Sequence, residues 1–77
     1  MTQFIVIQFD RYNSVNSNTT TVQAQTIQEA CVKGFKEIMK DIEQKEIDYY
    51  MDTLDINEDG TKAGTDLDEE SWLIFSI

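Results

Sequence analysis

Residues 3–9 read QFIVIQF, and they decide the fold of this chain. β-Branched and aromatic side chains dominate the run, which therefore predicts a strand. Phe4 and Val6 would lie on one face of the strand, and Ile5, Ile7 and Phe9 on the other. Two apolar faces are typical of a central strand. The sequence thus predicts a sheet with a neighbour on each side of this segment.

The residues that follow predict the first neighbour. Residues 13–18, NSVNSN, have side chains that hydrogen-bond their own backbone in turns. Residues 19–25, TTTVQAQ, form a polar and β-branched stretch that we expect to return as the edge strand of a hairpin. Residues 12–28 carry no charge, so this edge is poorly protected against pairing with another strand. It is a candidate site of self-association.

A capping box at residues 26–29 predicts the start of a helix. In this motif the Thr26 hydroxyl accepts a hydrogen bond from the Glu29 amide, and the Glu29 carboxylate reaches back to the Thr26 amide. The next apolar residues recur at helical spacing and predict a stripe that covers one sheet face: Ile27, Ala30, Cys31, Gly34, Phe35, Ile38 and Ile42. A glycine in this stripe indicates close approach to a strand. The single cysteine is expected to be a small buried hydrophobic residue.

Residues 47–56 fit two structures. A helix would place Ile47, Tyr50, Met51 and Leu54 at the spacing i, i+3, i+4 and i+7. A strand would enter a tight turn at residues 57–60 and pair with residues 71–77, whose inward side chains would be Leu73, Phe75 and Ile77. With the strand, the chain is one α+β domain over residues 1–77. Its order is ββαββ, a four-stranded antiparallel sheet with one helix packed on one face.

The composition limits the chemistry. The 77 residues include no His and one Cys, which excludes a histidine proton shuttle, an internal disulfide and a thiolate–imidazole zinc site. Paired carboxylates remain, but a domain this small offers no cleft that would raise the pKa of one of them. We expect no enzyme. The longest apolar runs, 4–7 and 72–75, are far shorter than the ~20 residues that span a bilayer, so we expect a cytoplasmic protein.

The charge is concentrated in one half of the chain. Residues 1–40 hold three acids and four bases, whereas residues 41–77 hold twelve acids and two bases, which gives +1 and −10. Such an excess repels nucleic acid and membranes and attracts a basic partner. The candidate partner-binding residues, expected at one end of the sheet, are Asp52, Asp55, Glu58, Asp59, Asp66, Asp68, Glu69, Glu70 and Trp72. An apolar patch that one helix would leave uncovered is expected at Phe4, Val6, Trp72 and Ile74.

Residues 55–66, DINEDGTKAGTD, resemble a calcium loop of the EF-hand or dockerin type. The likeness begins at Glu46, where the apolar spacing is similar to that of an entering helix. It implies calcium ligands at Asp55, Asn57, Asp59, Asp66 and the Thr61 carbonyl, with the turn at Gly60. The pattern departs from the family at Lys62, where an aliphatic residue is usual, and at Asp66, which is shorter than the usual Glu.

In type, the chain resembles the small acidic inhibitors that bacteriophages encode, including anti-CRISPR proteins and DNA mimics. The resemblance rests on size, acidity, the absence of His and Pro, and the strand–capping box–helix run of residues 22–30. It implies a protein that blocks a basic surface of a nucleic-acid-handling host protein in the host cytoplasm. A homodimer through residues 19–25 or the second sheet face would be compatible with this function. The alternatives are a single EF-hand-like calcium-binding module and an accessory protein that self-associates.

Overall fold

The computed structural model describes residues 1–10, 18–66 and 70–77. The elements in these residues are, in chain order, β1 (Thr2–Asp10), β2 (Asn18–Ala24), α1 (Ile27–Ile38), α2 (Gln44–Asp52), β3 (Asp55–Ile56), β4 (Lys62–Asp66) and β5 (Glu70–Ser76). Two candidate acids, Asp68 and Glu69, lie outside the described residues, as does most of the turn predicted at 13–18. Asp66 and Glu70 are described by their backbone positions.

The five strands form one antiparallel sheet in the order β2-β1-β5-β4-β3. β1 lies between β2 and β5, as its two apolar faces predicted, and β2 is an edge strand, as its polar sequence predicted. The register places Val6 beside Thr20 on one side and Ile74 on the other. The α+β class is therefore confirmed.

Both helices contribute to a core on one face of the sheet. This face, the inner face, contributes Phe4 and Val6 from β1 and Trp72 and Ile74 from β5, all at most 3% exposed. α1 begins at the predicted capping box, where the Glu29 amide donates to the Thr26 hydroxyl at 3.2 Å. The Glu29 carboxylate accepts from the Gln25 amide at 3.4 Å rather than from that of Thr26.

Three aromatic rings join the helices to the sheet. Phe35 on α1 meets Trp72 edge to face, with ring centroids 4.5 Å apart. Tyr50 on α2 contacts both of them, at 5.3 Å from Phe35 and 5.7 Å from Trp72. Such contacts each contribute about 0.5–1.5 kcal/mol beyond the apolar area that they bury. The rings therefore fix the position of α2, which otherwise has few neighbours in the core.

Residues 44–52 form a helix, so the prediction of a strand in this segment was wrong, and so was the fold of four strands and one helix. The exposure of the two tyrosines shows why. A strand would have buried Tyr49, whereas the helix buries Ile47 and Tyr50 and leaves Tyr49 57% exposed. The sheet obtains its fourth and fifth strands from residues 55–56 and 62–66 instead.

The inward side chains of the last strand were also predicted wrongly. Trp72 and Ile74 point to the helices, while Leu73 and Phe75 lie on the opposite face and Ile77 is 69% exposed. The pairing of Val6 with Ile74 sets this orientation, because directly paired residues share a face. The predicted patch at Phe4, Val6, Trp72 and Ile74 is therefore not on the surface.

Gly34 is the point of closest approach between α1 and the sheet. A Cβ atom at this position would lie 2.5 Å from Val6 Cγ2. That separation is far below van der Waals contact, so any larger residue would push the helix off the sheet. The expectation of close approach at Gly34 is confirmed.

Gly34→Ala should therefore destabilise the protein. We expect the free energy of unfolding to fall by about 1–3 kcal/mol from overpacking, although Ala has a helix propensity about 1 kcal/mol better than Gly. Urea unfolding followed by circular dichroism measures this loss. Val6→Ala makes room for the new methyl group, so Gly34→Ala should cost less in that background. An equal cost in both backgrounds would show that Val6 is not the obstacle.

Candidate functional site

A run of exposed carboxylates extends from the end of α1 to the turn after β3. Residues 41–59 contain eight acids and one base, Lys45. Seven of the eight acids are exposed and Glu46 is half-buried. We name this set the acidic surface: Asp41, Glu43, Glu46, Asp48, Asp52, Asp55, Glu58 and Asp59. Among the described residues only Glu43 of this set has an ion pair, at 3.5 Å from Lys45.

The acids of α2 differ in their effect on the stability of that helix. Glu46 lies in the first turn, where a negative charge is favourable, but the last turn contains Asp52 and no base. Asp48 and Asp52 are four residues apart on one side of the helix, where two like charges repel by a few tenths of a kcal/mol. Asp48 accepts a hydrogen bond from Gln44 Nε2 at 2.9 Å, which orients its carboxylate. The helix thus carries unfavourable charges on its solvent-exposed side.

The predicted acids that the structure describes do not gather at one end of the sheet. Glu58 and Asp59 lie in the turn between β3 and β4, next to the end of β5, where the Ser76 amide donates to the Thr61 carbonyl at 2.8 Å. Asp66 and Glu70 flank the connection at the other end of β4. Four residues of strand separate Lys62 from Asp66, which corresponds to about 13 Å. The sequence reasoning omitted the acids at 41, 43, 46 and 48, although its count of charge in the second half of the chain included them.

The carboxylate of Asp59 is occupied within its own turn. It accepts hydrogen bonds from the Thr61 hydroxyl at 2.6 Å and from the Thr61 amide at 3.1 Å. These bonds lower the pKa of Asp59, the hydroxyl bond having the larger effect. Asn57 Oδ1 accepts from the amides of Thr61 and Lys62 at 3.0 and 3.1 Å. Gly60, at φ 70°, lets the chain reverse.

Within the described residues α2 is followed by strands, so the exiting helix that an EF-hand requires is not found there. α2 does precede the segment, but Asp55 pairs with Gly64 across two strands and β4 continues to Asp66. In an EF-hand the end of the loop leads into a second helix, whereas here residues 62–66 form a strand. Within the described residues no group of three or more potential ligands among His, Cys, Asp and Glu is close enough to hold a metal ion.

Trp72 and Cys31 both lie in the core. Trp72 is 2% exposed, so its ring stabilises the aromatic cluster and is not available to a partner on the surface. Its indole N–H has no acceptor among the described residues, so packing alone holds it. Cys31 is fully buried, and burial raises the pKa of its thiol to about 12. Both observations fit the expected role of Cys31 as a small hydrophobic residue.

The face of the sheet opposite the helices, here the outer face, is the second candidate surface. Its apolar residues are Ile5, Ile7, Phe9, Leu73 and Phe75. Phe9 is 42% exposed and the other four are half-buried, each shielded by its neighbours in the sheet. The sequence reasoning noted a second sheet face but assigned the wrong residues of the last strand to it.

The β2 edge is better protected than its neutral sequence indicated. Lys33 on α1 donates to the Gln23 carbonyl of β2 at 2.7 Å and pairs with Glu29 at 3.1 Å. The bond from Lys33 lowers the pKa of Glu29. A carbonyl that accepts from an ammonium group is less available to an incoming strand, and a charge at the edge discourages pairing. The sequence offered no sign that a helix lysine would reach this edge.

Comparisons of the chain with protein families, with curated proteins and with solved structures found no match. No helix in the described part of the chain has the length and apolar character needed to span a bilayer. The acidic surface and the outer face are therefore the two candidate functional surfaces of the described residues.

Asp59→Ala tests the role of the turn. We expect a lower melting temperature at about pH 7, because the variant loses both hydrogen bonds from Thr61. The folded state lowers the pKa of Asp59, so the stabilisation is present above its unfolded value near pH 4 and disappears as the pH falls through the lowered value. The difference from the wild type should thus shrink as the pH is lowered below about 4. Glu58→Ala, in the same turn, is the control, and an equal effect there would contradict this assignment.

Cys31 should be unreactive in the folded protein. At about pH 8 a thiol with a pKa of about 12 is only about 0.01% thiolate, and the side chain is also shielded from reagent. We expect labelling by a disulfide reagent to be slower by at least about a hundredfold than in protein unfolded in guanidinium. Absorbance of the released thiolate measures both rates. Fast labelling of folded protein would show that Cys31 is accessible.

Proposed function

We propose that this protein is a non-enzymatic binding protein whose acidic surface occupies a basic surface on another protein. The partner class that fits best is a nucleic-acid-binding protein, because its lysines and arginines are arranged to meet closely spaced negative charges. The binding protein would block that surface as an inhibitor. The proposal does not include direct contact with nucleic acid, which the net charge of −9 disfavours.

One observation carries the proposal: α2 presents exposed carboxylates where they weaken the helix. A surface that serves only solubility gains as much from acids at the start of a helix, where the dipole favours them. Asp52 in the last turn and its repulsion from Asp48 instead cost a small amount of stability in the free protein. A cationic partner that binds here would offset both the unfavourable charge in the last turn and the repulsion between the two aspartates. The arrangement is therefore better explained by a partner than by solubility alone.

The electrostatics also define how the complex should respond to salt. Exposed charges interact over about 10 Å at an ionic strength of 0.1 M and over about 3 Å at 1 M. An interface built on the acidic surface gains much of its association rate from long-range attraction. Its affinity should fall steeply as salt is added.

The experiment compares two double variants with the same change in net charge. Asp48→Asn with Asp52→Asn removes two carboxylates from α2 and keeps side chains of the same shape. Glu29→Gln with Glu37→Gln removes two carboxylates from α1, and Gln at position 29 can still complete the capping box. Each protein is immobilised and exposed to a bacterial lysate at low and moderate salt, and captured proteins are identified by mass spectrometry.

We expect the wild type and the α1 variant to capture the same DNA- or RNA-binding protein, and the α2 variant to lose about tenfold or more of it, equivalent to about 1.4 kcal/mol. Capture should also fall at moderate salt, and the captured protein should lose its nucleic acid when this chain is added. Equal capture by both double variants, or capture that salt does not weaken, would contradict the proposal. A melting curve of each variant confirms that the fold is intact.

A further inference from the structure

The outer face is an apolar surface that the described residues leave uncovered. β1 and β5 lie side by side at its centre, and their register places Ile5 beside Phe75 and Ile7 beside Leu73. The five apolar residues of this face thus form one continuous patch and not scattered exposed side chains. A continuous exposed patch of this kind marks an interaction surface.

We propose that the outer face packs against the outer face of a second copy of this chain, with β1 and β5 of one copy over β1 and β5 of the other. This inference goes beyond the proposed function and uses a different surface. The product is a two-fold dimer with two sheets face to face and the helices on the outside. Three features of the protein favour a second copy as the occupant.

The distribution of charge is the first feature. On β2, β1 and β5 every residue whose register position falls on the outer face is uncharged. The charged positions on that face, Asp55, Lys62 and Asp66, are confined to β3 and β4 at one side. A chain of net charge −9 repels its own copy most strongly at the acidic surface. The strip β2-β1-β5 is where two copies can touch with little repulsion.

The area of the face is the second feature. β2 and β5 have 7 residues each, so the strip β2-β1-β5 spans roughly 23 Å along the strands and about 14 Å across them. Two such strips present about 640 Å² in projection, and the uneven surface of the side chains increases the accessible area. A specific, tight interface needs about 1,000 Å² or more in total. The strip therefore supports a weak dimer that forms and dissociates with concentration.

The protection of the β2 edge is the third feature. Edge-to-edge pairing through β2 is the other way for two copies to associate, but Lys33 occupies the Gln23 carbonyl at 2.7 Å. The opposite edge, β3, has only 2 residues. The sheet edges are therefore poor sites for a second copy, whereas no comparable device covers the centre of the outer face within the described residues.

Sedimentation equilibrium of the full chain over a range of concentrations tests the proposal. We expect a monomer–dimer equilibrium whose Kd falls severalfold from about 0.05 M to about 0.5 M NaCl, because salt screens the repulsion between two acidic copies. This direction is opposite to that expected for a partner of the acidic surface, so the two proposals can fail separately. A wild type that remains monomeric at both salt concentrations, or a Kd that rises with salt, would overturn the dimer.

Two lysine variants locate the interface. Ile7→Lys places a charge at the centre of the outer face and should raise the dimer Kd by about tenfold or more, since an unpaired charge would be buried. Tyr49→Lys is the matched control, because Tyr49 is 57% exposed on α2, away from this face, and the change in net charge is the same. It should leave the Kd within about twofold. Equal effects of the two substitutions would overturn the proposal.

Ile7→Thr is a second variant that tests the interface if Ile7→Lys does not fold. Thr keeps a high strand propensity and adds no charge, so the monomer should retain its circular dichroism spectrum while the dimer Kd rises severalfold. A folded Ile7→Thr protein that dimerises as tightly as the wild type would place the interface elsewhere.

Discussion

Gly34 on α1 lies directly against Val6 on β1, and the height of the helical layer above the sheet follows from this contact. With the helix this close, Phe35 reaches the ring of Trp72 at 4.5 Å between centroids, and Tyr50 closes the cluster from α2. Each large side chain buried in this way contributes about 1.5–3 kcal/mol. A helix held farther away by a methyl group would loosen all of these contacts together. The position of α2, and with it the acidic surface, thus depends on a glycine in a different helix.

Both helices of the described residues pack on the same face of the sheet. The two helices are used on the inner face, where they bury Phe4, Val6, Trp72 and Ile74. The central strands nevertheless have apolar residues on both faces, as a strand covered on both sides would. The outer face of β1 and β5 therefore has the composition of an interior surface, and no second layer among the described residues covers it. A second copy would supply that layer.

The sequence predicted those elements in which one interpretation clearly dominated. Residues 3–9 have too few helix formers to be anything but a strand, and the capping box with its apolar stripe defines α1. Residues 47–56 fit a strand and a helix equally well, because Ile47 and Met51 belong to both patterns. Tertiary packing favours the helix, because the helix buries Tyr50 against Phe35 and leaves Tyr49 in solvent. No local signal carries that information.

The orientation of β5 and the structure of residues 55–66 were both undecided by the local sequence, for related reasons. Each face of β5 carries apolar side chains, so its own sequence does not show which face is inward. The pairing with β1 decides that Ile74 faces the helices. In residues 55–66, alternate oxygen-bearing side chains followed by glycine suit either an ion or a turn. The turn uses those same oxygens to bind Thr61 and Lys62. A spacing of oxygen-bearing residues predicts a metal site only when the flanking segments bring those oxygens together around one point.

The two candidate surfaces differ in the force that acts on them, and this difference allows one small domain to use both. The acidic surface would attract a basic partner over several ångströms, and salt would weaken that attraction. The outer face would bind only through direct apolar contact, and its binding would strengthen when salt screens the repulsion between two acidic copies. Face-to-face packing of two sheets about 10 Å apart leaves both helical layers, with the acids of α2, on the outside of the dimer. Two copies would then present two acidic surfaces to a partner with repeated basic sites. Joined binding sites of this kind raise avidity without any new contact.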